Sequence, residues 1–223
     1  MGASKRVVLL RRQAKLSPQE FAAHWSGPHA QLALGLPGIR NYLQNHVLRT
    51  LWMGKSGGPK IDGIAEIEYR DEAALIEAMA CDLGTRQLPE DECRFLDSWT
   101  GSVVRPTGSK YAPAQRRIVA LLHRPSSIAP DEFSSHVERA LAYLRPFCLG
   151  HLEELLERKT RPSLNYERWP DVFLYFDPPA DRNVAELTAP GSPLQTCLSQ
   201  FLGDTGSAFL VRCEAKRLSN DPD

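Results

Sequence analysis

Within residues 21–46 the chain gathers Phe21, Trp25, His29, Tyr42 and His46 around a Gly27-Pro28 pair. These side chains could move protons. A histidine of near-neutral pKa in an apolar pocket can act as a general base, and a tyrosine hydroxyl can hold a developing enolate or phenolate. His29 is the candidate base, with Tyr42 and His46 as acid or oxyanion donors. Trp25 and Trp52 would form an apolar wall, and Gln44, Asp62 and Glu66 complete the candidate substrate-binding set. Asp62 and Glu66 are further acid–base groups. An inward histidine also serves simply as a hydrogen-bonded core residue, and Trp25 taken alone reads as core. Both readings stand at this level.

Local elements must bring these groups together. Ser17, Pro18 and Glu20 form a capping box with a proline start, so a helix opens at Ser17 and runs to about residue 35. Phe21, Trp25, His29 and Leu32 recur at four, four and three, and share one stripe. Pro28 has no N–H for the carbonyl of His24, so the helix should kink at Gly27-Pro28 and open a gap beside His29. Residues 39–48 alternate as a strand. Ile39, Asn41, Leu43, Asn45 and Val47 carry the apolar groups a sheet interior needs, which turns Arg40, Tyr42, Gln44, His46 and Leu48 toward the helix layer. A bulge would exchange the two faces.

The chain repeats itself. Shifted by 112 positions, 6–38 lies over 118–150 with eleven of 33 residues identical, RVVLLRR over IVALLHR and LSPQEFAAH over IAPDEFSSH. FLDSWTGSVV at 95–104 also echoes FLGDTGSAFL at 201–210. This is a tandem duplication, with repeats at 1–104 and 117–217, a Pro- and Gly-rich linker at 105–116 and a tail at 218–223. Each repeat reads β-α-β-β-α-β, a ferredoxin-like order. HLEELLERK at 151–159 looks helical by itself, but the repeat puts it where the first half has a strand. A four-stranded sheet with helices on one face leaves the other bare, and two copies cover each other. The expected architecture is α+β, two repeats fused into a pseudo-two-fold dimeric α/β barrel. His24 recurs as His136, whereas His29, Trp25, Tyr42, Gln44 and His46 become Leu141, Val137, Glu154, Leu156 and Arg158, which confines the candidate chemistry to the first half.

Bulk properties exclude other classes. Lys+Arg and Asp+Glu balance at 27 each, leaving no basic field for nucleic acid or anionic lipid. No apolar run approaches the roughly 20 residues of a membrane helix, and the start of the chain lacks a signal-peptide core, so a cytoplasmic protein is expected. Five scattered cysteines without a CxxC give no disulfide framework or zinc knuckle. His24 and His29 stand five apart, not the three or four that two helical ligands of one metal need. Gly54-Lys55-Ser56 lacks the first glycine of a phosphate loop, Arg49 standing in its place. No cofactor and no metal are expected. Trp52 and Trp169 lie in loops that could cover a ligand or fold back onto the domain.

The runs SPQEFAAHWSGPHAQLA, PGIRNYLQNH, DGIAEIEY and DECRFLD, in that order, resemble the EthD family of dimeric α/β-barrel proteins over most of residues 5–104, and 116–217 resembles a diverged second copy. The family is usually a single-copy domain that dimerises, so the fused form is a departure. The resemblance implies a half-barrel in which His29 occupies the histidine of the helix motif, with Tyr42, Asn45 and His46 on the strand motif. It implies association with ether degradation or with steps in aromatic polyketide pathways. The leading expectation is a cofactor-independent enzyme on a small apolar, aromatic or polyketide-like compound, driving a dehydration, elimination or isomerisation by proton transfer. The alternatives are a non-catalytic ligand-binding accessory protein and a cofactor-free monooxygenase. A monomeric pseudo-dimer is expected, open to further homodimerisation.

Overall fold

Val7 and Leu9 of β1 (Ser4–Arg12) face one way, Val8 and Leu10 the other, and all four are buried. A strand apolar on both faces needs cover on both. Val8 and Leu10 lie under the first half's helices with Phe21, Trp25 and Phe95. Val7 and Leu9 pack against Val119, Leu121, Phe173 and Phe209 from the second half. This is a computed structural model, and it describes residues 3–53, 60–104, 115–124, 126–144, 149–160, 170–177, 184–187, 189–201 and 207–216. The loop at 54–59, linker residues 105–114, Trp169 and the tail lie outside the described residues.

After β1 the first half runs through α1 (Pro18–His24), a π-helical turn (Trp25–His29), α2 (Ala30–Leu34), β2 (Ile39–Met53) and β3 (Gly63–Tyr69). It ends with α3 (Glu72–Ala80), a second π-helical turn (Leu83–Gln87), α4 (Leu88–Phe95) and β4 (Leu96–Val104). The second half supplies β5 (Arg116–Leu122), α5 (Pro130–Leu144), β6 (Leu149–Thr160), β7 (Val172–Asp177), α6 (Val184–Leu187), α7 (Pro193–Phe201) and β8 (Ser207–Lys216). The strands order as β4-β1-β3-β2 and β8-β5-β7-β6, and the pairs β2–β8 and β4–β6 close one eight-stranded antiparallel barrel. The architecture is the α+β barrel of two βαββαβ halves that the repeat implies. Residues 151–159 belong to β6; a helix there would leave the edges of β4 and β7 open. No helix among the described residues is long and apolar enough to cross a membrane, and Cys81, Cys93, Cys197 and Cys213 are free thiols.

One staple appears in both halves. Asp62 accepts from the backbone N–H and from Nε of Arg12, at 3.0 and 2.9 Å, and the same guanidinium bonds the carbonyl of Leu16. In the second half Asp171 accepts from the N–H of Arg124 at 2.7 Å, and that guanidinium bonds the carbonyl of Ile128. Asp62 is thus part of the shared frame, tying the end of β1 to the start of β3.

Glu66 sits inside the barrel. On β3, Ile64 and Glu66 point inward while Ala65 and Ile67 lie in the helix-covered core. Glu66 meets Lys5 Nζ at 2.8 Å, Arg117 Nη1 at 3.1 Å and Asn45 Nδ2 at 2.7 Å. Arg117 Nε also approaches Asp177 at 3.3 Å. All four charged side chains are buried and they span both halves, so each ion is compensated where water is excluded. Burial acts to raise the Glu66 pKa, but Lys5, Arg117 and Asn45 together hold the carboxyl below its ordinary range. Removing one partner leaves the others uncompensated. Glu66→Ala should lower the unfolding free energy by about 3–5 kcal/mol in urea denaturation; a loss under about 1 kcal/mol would show that this knot does not fasten the halves.

Candidate functional site

Pro28 shapes the site first. It cannot donate to the carbonyl of His24, and the helix answers by widening into a π-turn over Trp25–His29 before resuming at Ala30. In the second half Arg139 and Ala140 replace Gly27 and Pro28, and α5 runs unbroken. The wide turn turns both Trp25 and His29 inward, to 0% and 8% exposure. The indole lies flat against β3 where Gly63 has no side chain; a Cβ there would come within 2.5 Å of the ring.

Asp91 on α4 fixes His29. It is 4% exposed, and its two oxygens lie 3.0 Å from His24 Nε2 and 3.0 Å from His29 Nδ1. An ionised carboxylate only accepts, so each ring donates an N–H to it. With Nδ1–H committed to Asp91, His29 Nε2 carries the lone pair in the neutral ring. Burial lowers the His29 pKa from its ordinary value; the bond to Asp91 works against that and His24 adds to it. His24, expected to be architectural because it recurs in the second half, here shares the carboxylate. The rings of His24 and His29 flank Phe95 at 4.7 and 4.9 Å.

Tyr42 has a fixed polarity. Trp25 Nε1 donates to its oxygen at 3.0 Å, and Gln44 Nε2 donates at 3.1 Å. The orientation of the Gln44 amide follows from its bond to the carbonyl of Trp25 at 2.9 Å, since only the nitrogen can donate there. With both lone pairs taken, the phenol can act toward a ligand only as a donor. Burial, more than these two bonds offset, pushes its pKa up to about 12, so the proton stays on.

His29, Trp25 and Tyr42 share one cavity, of about 650 Å³ with its mouth included. Val8, Leu10, Ala65, Ile67 and Leu96 make most of its wall apolar. Arg6, Glu92 and Trp99 also line it. Among the described residues no three His, Cys, Asp or Glu side chains are placed to hold a metal ion.

The other predicted residues lie elsewhere. His46 is behind Trp25, with ring centroids 4.5 Å apart, and opens onto a separate groove shared with Asp62 and Arg212. Its Nε2 is 3.2 Å from Ser26 Oγ and 3.4 Å from Glu214 of β8, and its buried Nδ1 has no hydrogen-bond partner among the described residues. Gln44 supports Tyr42 without lining the cavity, Trp52 packs on the second half's core, and Glu66 is inside the barrel. The assignment of strand faces holds over Tyr42, Gln44 and His46, whereas Ile39 crosses to the helix side because the register shifts between Ile39 and Asn41. Asp91, Glu92 and Arg6 escaped the sequence reading. Asp91 and Glu92 stand in the DECRFLD run, on α4, a short helix between the second π-turn and β4. An acidic pair on a short polar helix carries no local sign of burial.

Residues 13–98 match the EthD domain family. No curated protein sequence matches the chain. Among solved structures, a candidate monooxygenase from Fusobacterium nucleatum is similar over 97% of this chain and 94% of its own, at 8% identity and a TM-score of 0.55. An anthrone oxidase-like protein matches over 98% and 94%, at 8% identity and a TM-score of 0.54. A candidate monooxygenase from Lactobacillus acidophilus matches over 98% and 97%, at 8% and 0.52. At such identities the likeness is one of fold, and it spans both halves of the barrel.

His46 gives the site a pH signature. Burial first, then Arg212 and Lys216, lower its pKa to about 4, with Glu214 opposing. The unfolded chain has an ordinary histidine value of about 6.5, so it binds the proton first. The stability linked to this group is therefore fully present above about pH 6.5 and is lost as pH falls toward 4. Urea midpoints measured between pH 7 and 4 should fall less steeply in His46→Asn than in wild type; parallel curves would contradict the assignment.

Proposed function

Starting from the EthD domain that residues 13–98 carry, we propose that the first half is an enzyme site for proton transfer on a small, largely apolar, aromatic or polyketide-like compound. One observation carries the reading: the same apolar cavity presents a histidine backed by a buried carboxylate and a tyrosine that can only donate. His29 Nε2 would take a proton from carbon. Tyr42 would donate to the carbonyl or phenol oxygen on which negative charge collects, as an oxyanion donor. Asp91 orients the imidazole and stabilises the cation formed when the proton arrives. The product is an enol or enolate equivalent, from which dehydration, elimination or isomerisation follows without a cofactor.

Among the described residues of the second half there is no matching set. Leu141 replaces His29, and both Leu141 and Cys197 pack into its apolar core. Because the barrel closes within one chain, we read the protein as a self-contained pseudo-dimer that needs no second copy to complete the pocket.

A second reading starts from the same enolate. Two similar structures are described as candidate monooxygenases and one as anthrone oxidase-like, and a carbanion made by His29 could instead react with dioxygen. Oxygen uptake coupled to turnover separates the two.

Native mass spectrometry of gently purified protein should identify a bound small organic compound that leaves on denaturation. With that compound as substrate, His29→Ala should reduce turnover by a factor of about 10² or more, and a variant within threefold of wild type would sink the assignment of the base. The acid limb of kcat/KM should fall below the ordinary histidine value of about 6.5, because the base works in its neutral form and burial lowers its pKa. A limb at or above that value would contradict it.

A further inference from the structure

Among the described residues Arg6 is the one arginine or lysine that lines the cavity. Its outward face on β1 follows from alternation with Val8 and Leu10. Nη1 meets the thioether of Met79 at 3.3 Å, and the guanidinium lies over the ring of Trp99 at 5.1 Å. A thioether is a weak acceptor, and neither contact neutralises the charge. Glu92, the acid on the same wall, accepts from Trp99 Nε1 at 2.7 Å. No salt bridge within 4 Å joins Arg6 to a carboxylate among the described residues; burial lowers its pKa, and the nearby Tyr69 and Glu92 work against that.

The fold makes room for this group. A Cβ on Gly101 would come within 2.8 Å of Arg6 Nη2 and 2.9 Å of its Nε, so a bare backbone on β4 admits the guanidinium. The second half shows what happens without the charge. Val8 pairs with Gly101, and its repeat counterpart Ala120 pairs with Ala208, so Ala208 takes the place of Gly101. At the place of Arg6 stands Ile118, buried in that half's apolar core. The cation and the glycine that admits it are present together in the half with the cavity, and absent together in the other.

We propose that Arg6 is the specificity-determining residue of the cavity, and that the compound it takes is a flat apolar anion, an aromatic carboxylate or phenolate, held by the guanidinium while its ring lies among the apolar wall residues. A planar guanidinium suits a carboxylate through two parallel N–H···O bonds. The anion would displace the Met79 contact and leave Tyr42 to donate to a second oxygen on the same compound. This deepens the reading of the cavity as a small-molecule site and rests on it.

The test compares 1-naphthoate with its neutral isostere 1-naphthamide, using full-length protein and titration calorimetry at pH 7.5. Wild type should bind the acid at least about tenfold more tightly, the scale of one charge-assisted contact. Arg6→Met should abolish that preference while still binding the amide. Gly101→Ala, which keeps the charge but crowds the guanidinium, should weaken the acid selectively, and it serves as the check should Arg6→Met fail to fold. Equal affinity for acid and amide in wild type would overturn the role of Arg6 and leave the cavity reading intact. Binding of neither compound would overturn both. A preference unchanged in both variants would place the anion elsewhere.

Discussion

A carboxylate out of reach of water must be compensated, and Asp91 is almost wholly buried. Two imidazoles from the first helical segment donate to it, and the Arg94 guanidinium stands 3.9 Å away. This requirement fixes where α1 and the π-turn lie against α4, and so sets one wall of the cavity. It also fixes which nitrogen of His29 carries a proton. Geometry, burial and protonation state at the candidate base therefore share one origin.

The duplication supplies an internal comparison. Both halves keep the strand order, a first helix that opens on a proline with Phe21 or Phe133 on its inner face, and the Arg–Asp staple between the first and third strands. They part where chemistry would occur. Pro28 becomes Ala140 and the wide turn disappears; His29 becomes Leu141; α4 laid over α7, with Phe95 on Phe201, puts Cys197 in place of Asp91. Without the counterpart of His29, a buried aspartate there would keep only the histidine at His136, and a small apolar thiol avoids the cost of a half-satisfied carboxylate. Barrel closure needs the shared features from both copies, through the β2–β8 and β4–β6 seams and the charges inside. The pocket needs only one.

Much of this was legible in the sequence, because it rests on local rules. The missing N–H of Pro28 forecasts a break in the helix, period-two alternation separates Tyr42 from Asn45, and the 112-residue repeat forces 151–159 into a strand against its own local pattern. What was not legible depends on the third dimension. Tyr42 and His46 share a strand face, yet the Trp25 indole comes between His46 and the cavity, which spacing along the chain does not encode. Glu66 has the parity of an inward residue, but its partners Lys5 and Arg117 lie 61 and 51 residues away. Asp91 and Arg6 look like surface charges until the fold buries one and lines a cavity with the other.

Nitrogen-15 NMR of the histidine imidazoles tests the centre of this account most directly, because it reads the proton positions at His29. The account predicts a neutral ring at pH 7 in the Nδ1–H form, with Nε2 bare, titrating below the ordinary histidine value of about 6.5. A ring protonated on both nitrogens at pH 7, or one carrying its proton on Nε2, would contradict it. In either case no base would face the cavity.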